Sequence, residues 1–242
     1  MIVLSVGMPR AGSGWHYNVI HDLMATTGCA DARDIREKYR LHKILTEVNC
    51  NIGVLSARRL ALVTLPALAG NTFVIKAHAG PSAGSRFLEA VGLLRVTYIY
   101  RDPRDAMLSA FDFGQRAISN GRPNAFSHLT DFQKTLDFVT EYVQIWEKWI
   151  QEKRALVARY EDLLTDYDRE ATRLTGFLKL DGTRPEVQKV IERYRPGAND
   201  GQQGLHFYKG RIGRFRESYN AEQQKVMAER FGDALKKMGY EV

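Results

Sequence analysis

Near its start the chain runs from a short apolar, β-branched stretch, Ile2-Val3-Leu4-Ser5-Val6, straight into Gly7-Met8-Pro9-Arg10-Ala11-Gly12-Ser13-Gly14-Trp15. No other junction restricts the fold as much. Gly7 and Gly12 have the G-x4-G spacing of a phosphate-binding loop. A Walker sequence would continue with Lys-Ser/Thr, whereas this chain continues with Ser13-Gly14. From Trp15 onward, Val19, Ile20, Leu23 and Met24 recur at helical spacing, and Gly28 suits a C-cap. Strand, glycine loop and helix N-terminus in that order predict a phosphate cradle of backbone N–H groups, reinforced by the helix dipole. Which phosphate it holds decides the function.

A length of 242 residues suits one α/β domain spanning 1–242. The formal net charge of +7 favours an anionic partner without separating nucleotide, nucleic acid and membrane. Much of that excess comes late, in Arg184, Lys189, Arg193, Arg195, Lys209, Arg211, Arg214 and Arg216, and a solvated basic face explains such a stretch equally well. Cys29 and Cys50 have neither metal spacing nor a disulfide framework. No stretch approaches the roughly 18 apolar residues of a membrane span, and the first strand begins at once, leaving no room for a leader. The expectation is a reduced, cytoplasmic protein without a transmembrane segment.

Three further runs read as strands: 72–76 (Thr-Phe-Val-Ile-Lys), 95–100 (Arg-Val-Thr-Tyr-Ile-Tyr) and 156–160 (Leu-Val-Ala-Arg-Tyr). Helices are predicted at about 15–27, 56–69, 84–92, 103–117, 131–152, 166–179, 184–194 and 219–238. The alternation predicts a central parallel β-sheet with helices on both faces. Ligands of such sheets bind beyond the carboxyl ends of the strands. There the four strands offer Gly7 to Gly14, Lys76-Ala77-His78, Arg101 and Tyr160. Segments 120–130 and 196–209, rich in Gly, Asn and Pro, read as binding loops or surface disorder.

Two of these strand ends carry chemistry. In Arg101-Asp-Pro-Arg104-Asp105-Ala-Met-Leu-Ser109, Asp102 can cap a helix and Pro103 suits its first position. Arg101 and Ser109 can converge on one anion, and a capping ion pair from Arg101 or Arg104 to Asp105 is the competing reading. In Lys76-Ala77-His78, period-two alternation puts Lys and His on one face. Histidine suits a general base, and lysine stabilises developing negative charge.

Taken together, Pro9 to Trp15, Lys76-Ala-His78, Tyr100 to Ser109, Arg159-Tyr-Glu-Asp-Leu163 and Lys209-Gly-Arg-Ile-Gly213 resemble, in order, the signature of soluble sulfotransferases. The resemblance implies a P-loop NTPase-like sulfotransferase fold. It also implies sulfuryl transfer from 3′-phosphoadenosine-5′-phosphosulfate (PAPS) to a hydroxyl or amine of a small molecule, with adenosine 3′,5′-bisphosphate (PAP) as product. Arg10, Ala11, Gly12, Ser13, Gly14 and Trp15 would bind the phosphosulfate end, with Trp15 against the adenine. Arg101 and Ser109 would hold the 3′-phosphate, Tyr160 would sit near the adenine, and Lys209-Gly210 would close over the 3′-phosphate. His78 would be the base, with Arg10 and Lys76 stabilising the sulfuryl group and the leaving phosphate. No metal is expected, because positive side chains replace a magnesium clamp in a reaction akin to phosphoryl transfer.

The chain departs from the family in places. Arg10 stands where lysine is usual, and Ser13-Gly14 where threonines are usual. Tyr208 replaces the arginine before Lys-Gly, and Gly213-Arg214-Phe215 replaces Gly-Asp-Trp, leaving Arg211 or Arg214 as substitutes. The animal dimerisation sequence is absent, so the oligomeric state is open. Aromatic residues near motif ends, His16, Phe111, Phe113, Phe207 and Tyr208 with Tyr17, Phe126 and His206, are candidates to line the acceptor site. Trp146 and Trp149 are assigned to packing. The alternatives are a P-loop kinase, which should carry a Walker lysine, and a non-catalytic nucleotide-binding module. A nucleic-acid binder lacks a supporting motif.

Overall fold

In the computed structural model, which describes residues 1–197 and 211–242, four strands form one parallel sheet in the order β2-β1-β3-β4. They are β1 (Ile2–Gly7), β2 (Phe73–Ala77), β3 (Leu94–Tyr100) and β4 (Leu156–Arg159). The chain moves from β1 outward to β2 and then returns across β1 to β3. The order therefore reverses at β1, and a crevice opens beyond its carboxyl end. β1 is buried throughout, as a central parallel strand must be.

Side-chain alternation divides the core into two layers. Ile2, Leu4 and Val6 face α3 (Ala57–Leu68), α6 (Phe132–Trp149) and α11 (Ala221–Met238). Val3, Val74 and Ile99 face α1 (Ser13–Ala25), α8 (Tyr167–Leu178) and α9 (Pro185–Tyr194). The remaining long helix, α5 (Pro103–Ser119), starts directly beyond β3. Asp102 caps it by accepting from the Arg104 amide at 2.9 Å.

All eight predicted helices occur, with ends shifted by a few residues. Three short ones went unpredicted: α2 (Ala32–Lys38), α7 (Tyr160–Thr165) and α10 (Phe215–Ser218). α2 buries only Ala32 and Ile35, too few positions to show a period. β4 ends at Arg159, so Tyr160 opens α7 and is not the last strand residue. α4 (Ala83–Ala90) completes the set among the described residues.

Segment 120–130 is an ordered turn, with Leu129 fully buried. It lies flat on α5 because Gly114 has no side chain: a Cβ there would fall 2.2 Å from the Phe126 carbonyl oxygen. The basic stretch near the C-terminus is largely neutralised. Arg195 pairs with Glu192 and Asp168, Arg193 with Asp22, Arg214 with Asp112, and Arg216 with Glu241. Each of these arginines is thus matched by a carboxylate, so this charge is not left over for an anion. Among the described residues, no helix is long and apolar enough to cross a membrane.

Candidate active site

A cavity of about 270 Å³ lies beyond the carboxyl end of β1. Arg10, Gly12, Ser13, Gly14 and Trp15 line it from the loop and α1, Lys76 and His78 from the end of β2, and Arg101, Ser109, Phe113 and Tyr160 from the far side. Among the described residues, no carboxylate lines it. Three cationic side chains, Arg10, Lys76 and Arg101, converge on it, and among the described residues neither Arg10 nor Lys76 has a carboxylate partner, which is the electrostatic form of an anion site.

The loop is shaped to leave backbone donors free. At Gly7 a Cβ would meet Ile99 Cγ2 at 2.6 Å and Ser13 Cβ at 2.8 Å, so only glycine lets β1 turn under the helix. Gly12 is left-handed, with φ 76°, and caps α1 without any side-chain hydrogen bond. The first-turn amides are thus uncapped at the dipole's positive end, and no acidic side chain occupies that turn. Gly12 also carries the Tyr160 ring, whose carbons would lie 2.7 and 2.8 Å from an added Cβ. Gly12→Ala should therefore combine left-handed strain of about 1–2 kcal/mol with displacement of Tyr160. The expected result is a melting temperature lower by about 2–8 °C with weakened nucleotide binding. An unchanged melting temperature would contradict this account.

Burial and mutual repulsion set the charge states. Lys76 is 5 % exposed, and desolvation, then Arg10, lowers its pKa to about 8. Arg10 falls to about 10, through desolvation and then Arg116 and Arg101, and stays charged at neutral pH. His78 falls to about 4, through desolvation and then Lys76, so its imidazole is neutral. His78 Nδ1 lies 2.6 Å from the Gly7 carbonyl. A carbonyl only accepts, so Nδ1 bears the proton and Nε2 keeps its lone pair. Trp149 Nε1 donates to the Ala79 carbonyl at 3.0 Å and fixes the turn after His78.

On the far side, Arg10 Nε donates to Ser109 Oγ at 3.2 Å. Arg101 pairs with Asp105 at 3.3 Å, lies 4.7 Å over the Tyr160 ring and donates to the Arg211 carbonyl at 2.8 Å. The capping ion pair and the cavity-lining position thus coexist in Arg101, whose Nε is buried and has no partner among the described residues.

Several sequence candidates fall elsewhere. Ala11 is fully buried in the core, and its amide closes the loop on the Met8 carbonyl at 3.2 Å, so it does not line the cavity. His16 is 1 % exposed beneath the loop, with Nδ1 3.3 Å from Ser5 Oγ, and desolvation, then Lys76, lowers its pKa to about 3. It is a buried neutral histidine and lines no acceptor surface. Tyr17 is likewise buried. Phe111 is half-buried outside the cavity, because it sits about 200° around the helix from Ser109 and Phe113. Trp15 lines the cavity but also leans on Tyr167, with ring centres 6.1 Å apart. Phe207, Tyr208, Lys209 and Gly210 lie outside the described residues.

Sequence reasoning missed Asn49, which also lines the cavity. It arrives there because segment 50–52 pairs along β2: Lys76 N donates to Cys50 O at 3.3 Å, and Ile52 N to Lys76 O at 2.9 Å. Only its place in a turn-forming Val-Asn-Cys-Asn run could have flagged it. Among the described residues, no group of three or more His, Cys, Asp or Glu could hold a metal ion.

The fold and the chain as a whole have known counterparts. The sulfotransferase domain family matches residues 3–239, and the chain belongs to it. A curated relative is the amine sulfotransferase of Oryctolagus cuniculus, 21% identical over 164 residues. That alignment spans 59% of this chain and 54% of the relative, so it covers only about half the relative's length. Among solved structures, the mouse sulfotransferase SULT7A1 complexed with PAP superposes with a TM-score of 0.59 at 16% identity, over 97% of this chain and 84% of that one. Retinol dehydratase in complex with androsterone and PAP gives a TM-score of 0.57 at 19% identity, covering 97% and 80%. At these identities the superpositions establish the shared fold.

Proposed function

We propose that the chain is a cytoplasmic sulfotransferase that uses PAPS as donor and a small-molecule hydroxyl or amine as acceptor. One observation carries the reading: a neutral histidine whose Nδ1 is bonded to the Gly7 carbonyl shares a cavity with Lys76 and Arg10, beside an uncapped helix N-terminus and, among the described residues, with no carboxylate lining it. A resident cation would be redundant there. His78 Nε2 takes the acceptor's proton as the acceptor oxygen or nitrogen bonds to sulfur. The bond from sulfur to the bridging oxygen breaks, and its electron pair stays on the leaving PAP. Lys76 and Arg10 stabilise the charge that builds on the sulfuryl and bridging oxygens. The loop amides of Gly12, Ser13 and Gly14 hold the 5′-phosphate. Arg101 and Ser109 hold the 3′-phosphate that separates this donor from ATP. Fold relatives complexed with PAP support the same nucleotide.

The test is nucleotide selectivity in a thermal shift without magnesium. PAP at a hundredfold excess over its Kd should add about 2.7 kcal/mol, a rise of about 5–11 °C. ADP and AMP should give much smaller rises. Equal stabilisation by ADP, or a strict magnesium requirement, would remove the 3′-phosphate assignment. A screen of acceptor mixtures with labelled donor then identifies the acceptor.

A further inference from the structure

Arg10 is held in an unusual way for a buried cation. Its backbone is left-handed at φ 65°, and among the described residues it has no carboxylate partner. Its guanidinium instead lies 4.3 Å over the Phe113 ring and 5.9 Å from the Phe126 ring. Those two rings meet edge to face at 5.5 Å. Ser109, which accepts from Arg10 Nε, is one turn before Phe113 on α5, so a single helix face supplies both contacts. The rings are anchored from behind: Phe126 packs on Phe138 of α6 at 5.7 Å, and Gly114 lets its loop press against α5.

From this geometry we infer that Phe113 is the positioning residue of Arg10, so that an acceptor-side aromatic residue sets the donor-side phosphate affinity. The chemistry favours this device. A carboxylate would orient the guanidinium but cancel its charge in a cavity that needs it. A π-face orients the planar group and leaves the charge intact, and among the described residues neither Nη group has a hydrogen-bond partner. Lysine, usual at this position in the family that the chain resembles, cannot stack and bond edge-on together. Phe126 contributes by fixing the Phe113 ring plane.

The inference rests on the proposed PAP site, and two measurements keep them separable. In the first, PAP affinity is measured by calorimetry for Phe113→Leu, Arg10→Lys and the double variant. Phe113→Leu should weaken PAP binding about 5- to 30-fold in the wild-type background. It should change it less than about twofold in the Arg10→Lys background, where no planar group remains to be held. Phe113→Tyr, which keeps the face, should bind as the wild type does. Equal factors in both backgrounds, or no loss in Phe113→Leu, would overturn the inference.

The second measurement needs no nucleotide and survives failure of the PAP reading. The Arg10 Nε–H resonance should be protected from solvent exchange in the wild type and in Phe113→Tyr. In Phe113→Leu that protection should be lost while the melting curve stays cooperative. The same exchange rate in all three proteins would sink it.

Discussion

His78→Ala should bind PAP close to the wild-type affinity and lower sulfuryl transfer to a hydroxyl by about 10²–10⁴-fold. The split between binding and turnover follows from where the histidine's bonds go. Nδ1–H is spent on the Gly7 carbonyl at 2.6 Å, which orients the ring, and only Nε2 is left to work on an acceptor. In the proposed site the phosphate contacts would come instead from the loop amides, Arg10, Lys76 and Arg101. Single-turnover transfer and PAP titration on one preparation read both quantities. Retained turnover would mean that His78 is not the base. A large loss of PAP affinity would mean that its bond to Gly7 serves mainly to shape the loop.

The pH dependence has a definite sign. Burial and Lys76 depress His78 to about 4, so its base form persists down to that value. Lys76 keeps its proton only below about 8. The free enzyme's kcat/KM should therefore plateau between about 4 and 8, with His78 on the acid limb and Lys76 on the alkaline limb. Stability moves with His78 and with the buried His16. Both His78 and His16 have folded values below 6.5, so the unfolded chain binds their protons first as pH falls. Their contribution is fully present above about 6.5 and is lost toward their folded values of about 4 and 3.

How much of this site the sequence disclosed depended on how local each feature is. The β1 run, Gly7, Gly12 and the helix after them are adjacent in the chain, so strand, loop and uncapped N-terminus could be read directly. Arg101 and Ser109 were readable because Asp102 and Pro103 announce where α5 starts. Asn49 was invisible because two backbone bonds between 50–52 and β2 put it there, and no side-chain pattern encodes such pairing. Phe111 and Phe113 differ only in helical phase, which a strand-to-helix boundary fixes but composition does not. His16 looked functional from its place at the end of the loop motif, yet the helix turns it down onto Ser5. The Arg101–Asp105 pair and the anion site seemed rival readings. In the structure they do not exclude each other, since Arg101 pairs with Asp105 through Nη2 and also lines the cavity.

That pair yields the largest expected loss of stability. The Asp105 side chain has no exposed surface and accepts from three donors: Gly213 N at 2.7 Å, Phe215 N at 3.1 Å and Arg101 Nη2 at 3.3 Å. Asp105→Ala would leave a buried guanidinium without its countercharge and two amides without an acceptor. Removing one partner of a buried pair costs about 3–5 kcal/mol, which is a fall of about 6–20 °C in melting temperature. Asp105→Asn keeps one acceptor oxygen and should lose less. Adding Arg101→Met to Asp105→Ala should recover part of the loss, because the uncompensated charge disappears with it. Nucleotide supplies the discriminating measurement. If Arg101 faces the 3′-phosphate, PAP restores an anion beside the orphaned guanidinium and should raise the melting temperature of Asp105→Ala more than that of the wild type. AMP, which lacks that phosphate, should not. A fall smaller than about 2 °C would mean that water or a rotated Arg101 replaces the carboxylate. An equal response to PAP and AMP would separate Arg101 from the 3′-phosphate altogether.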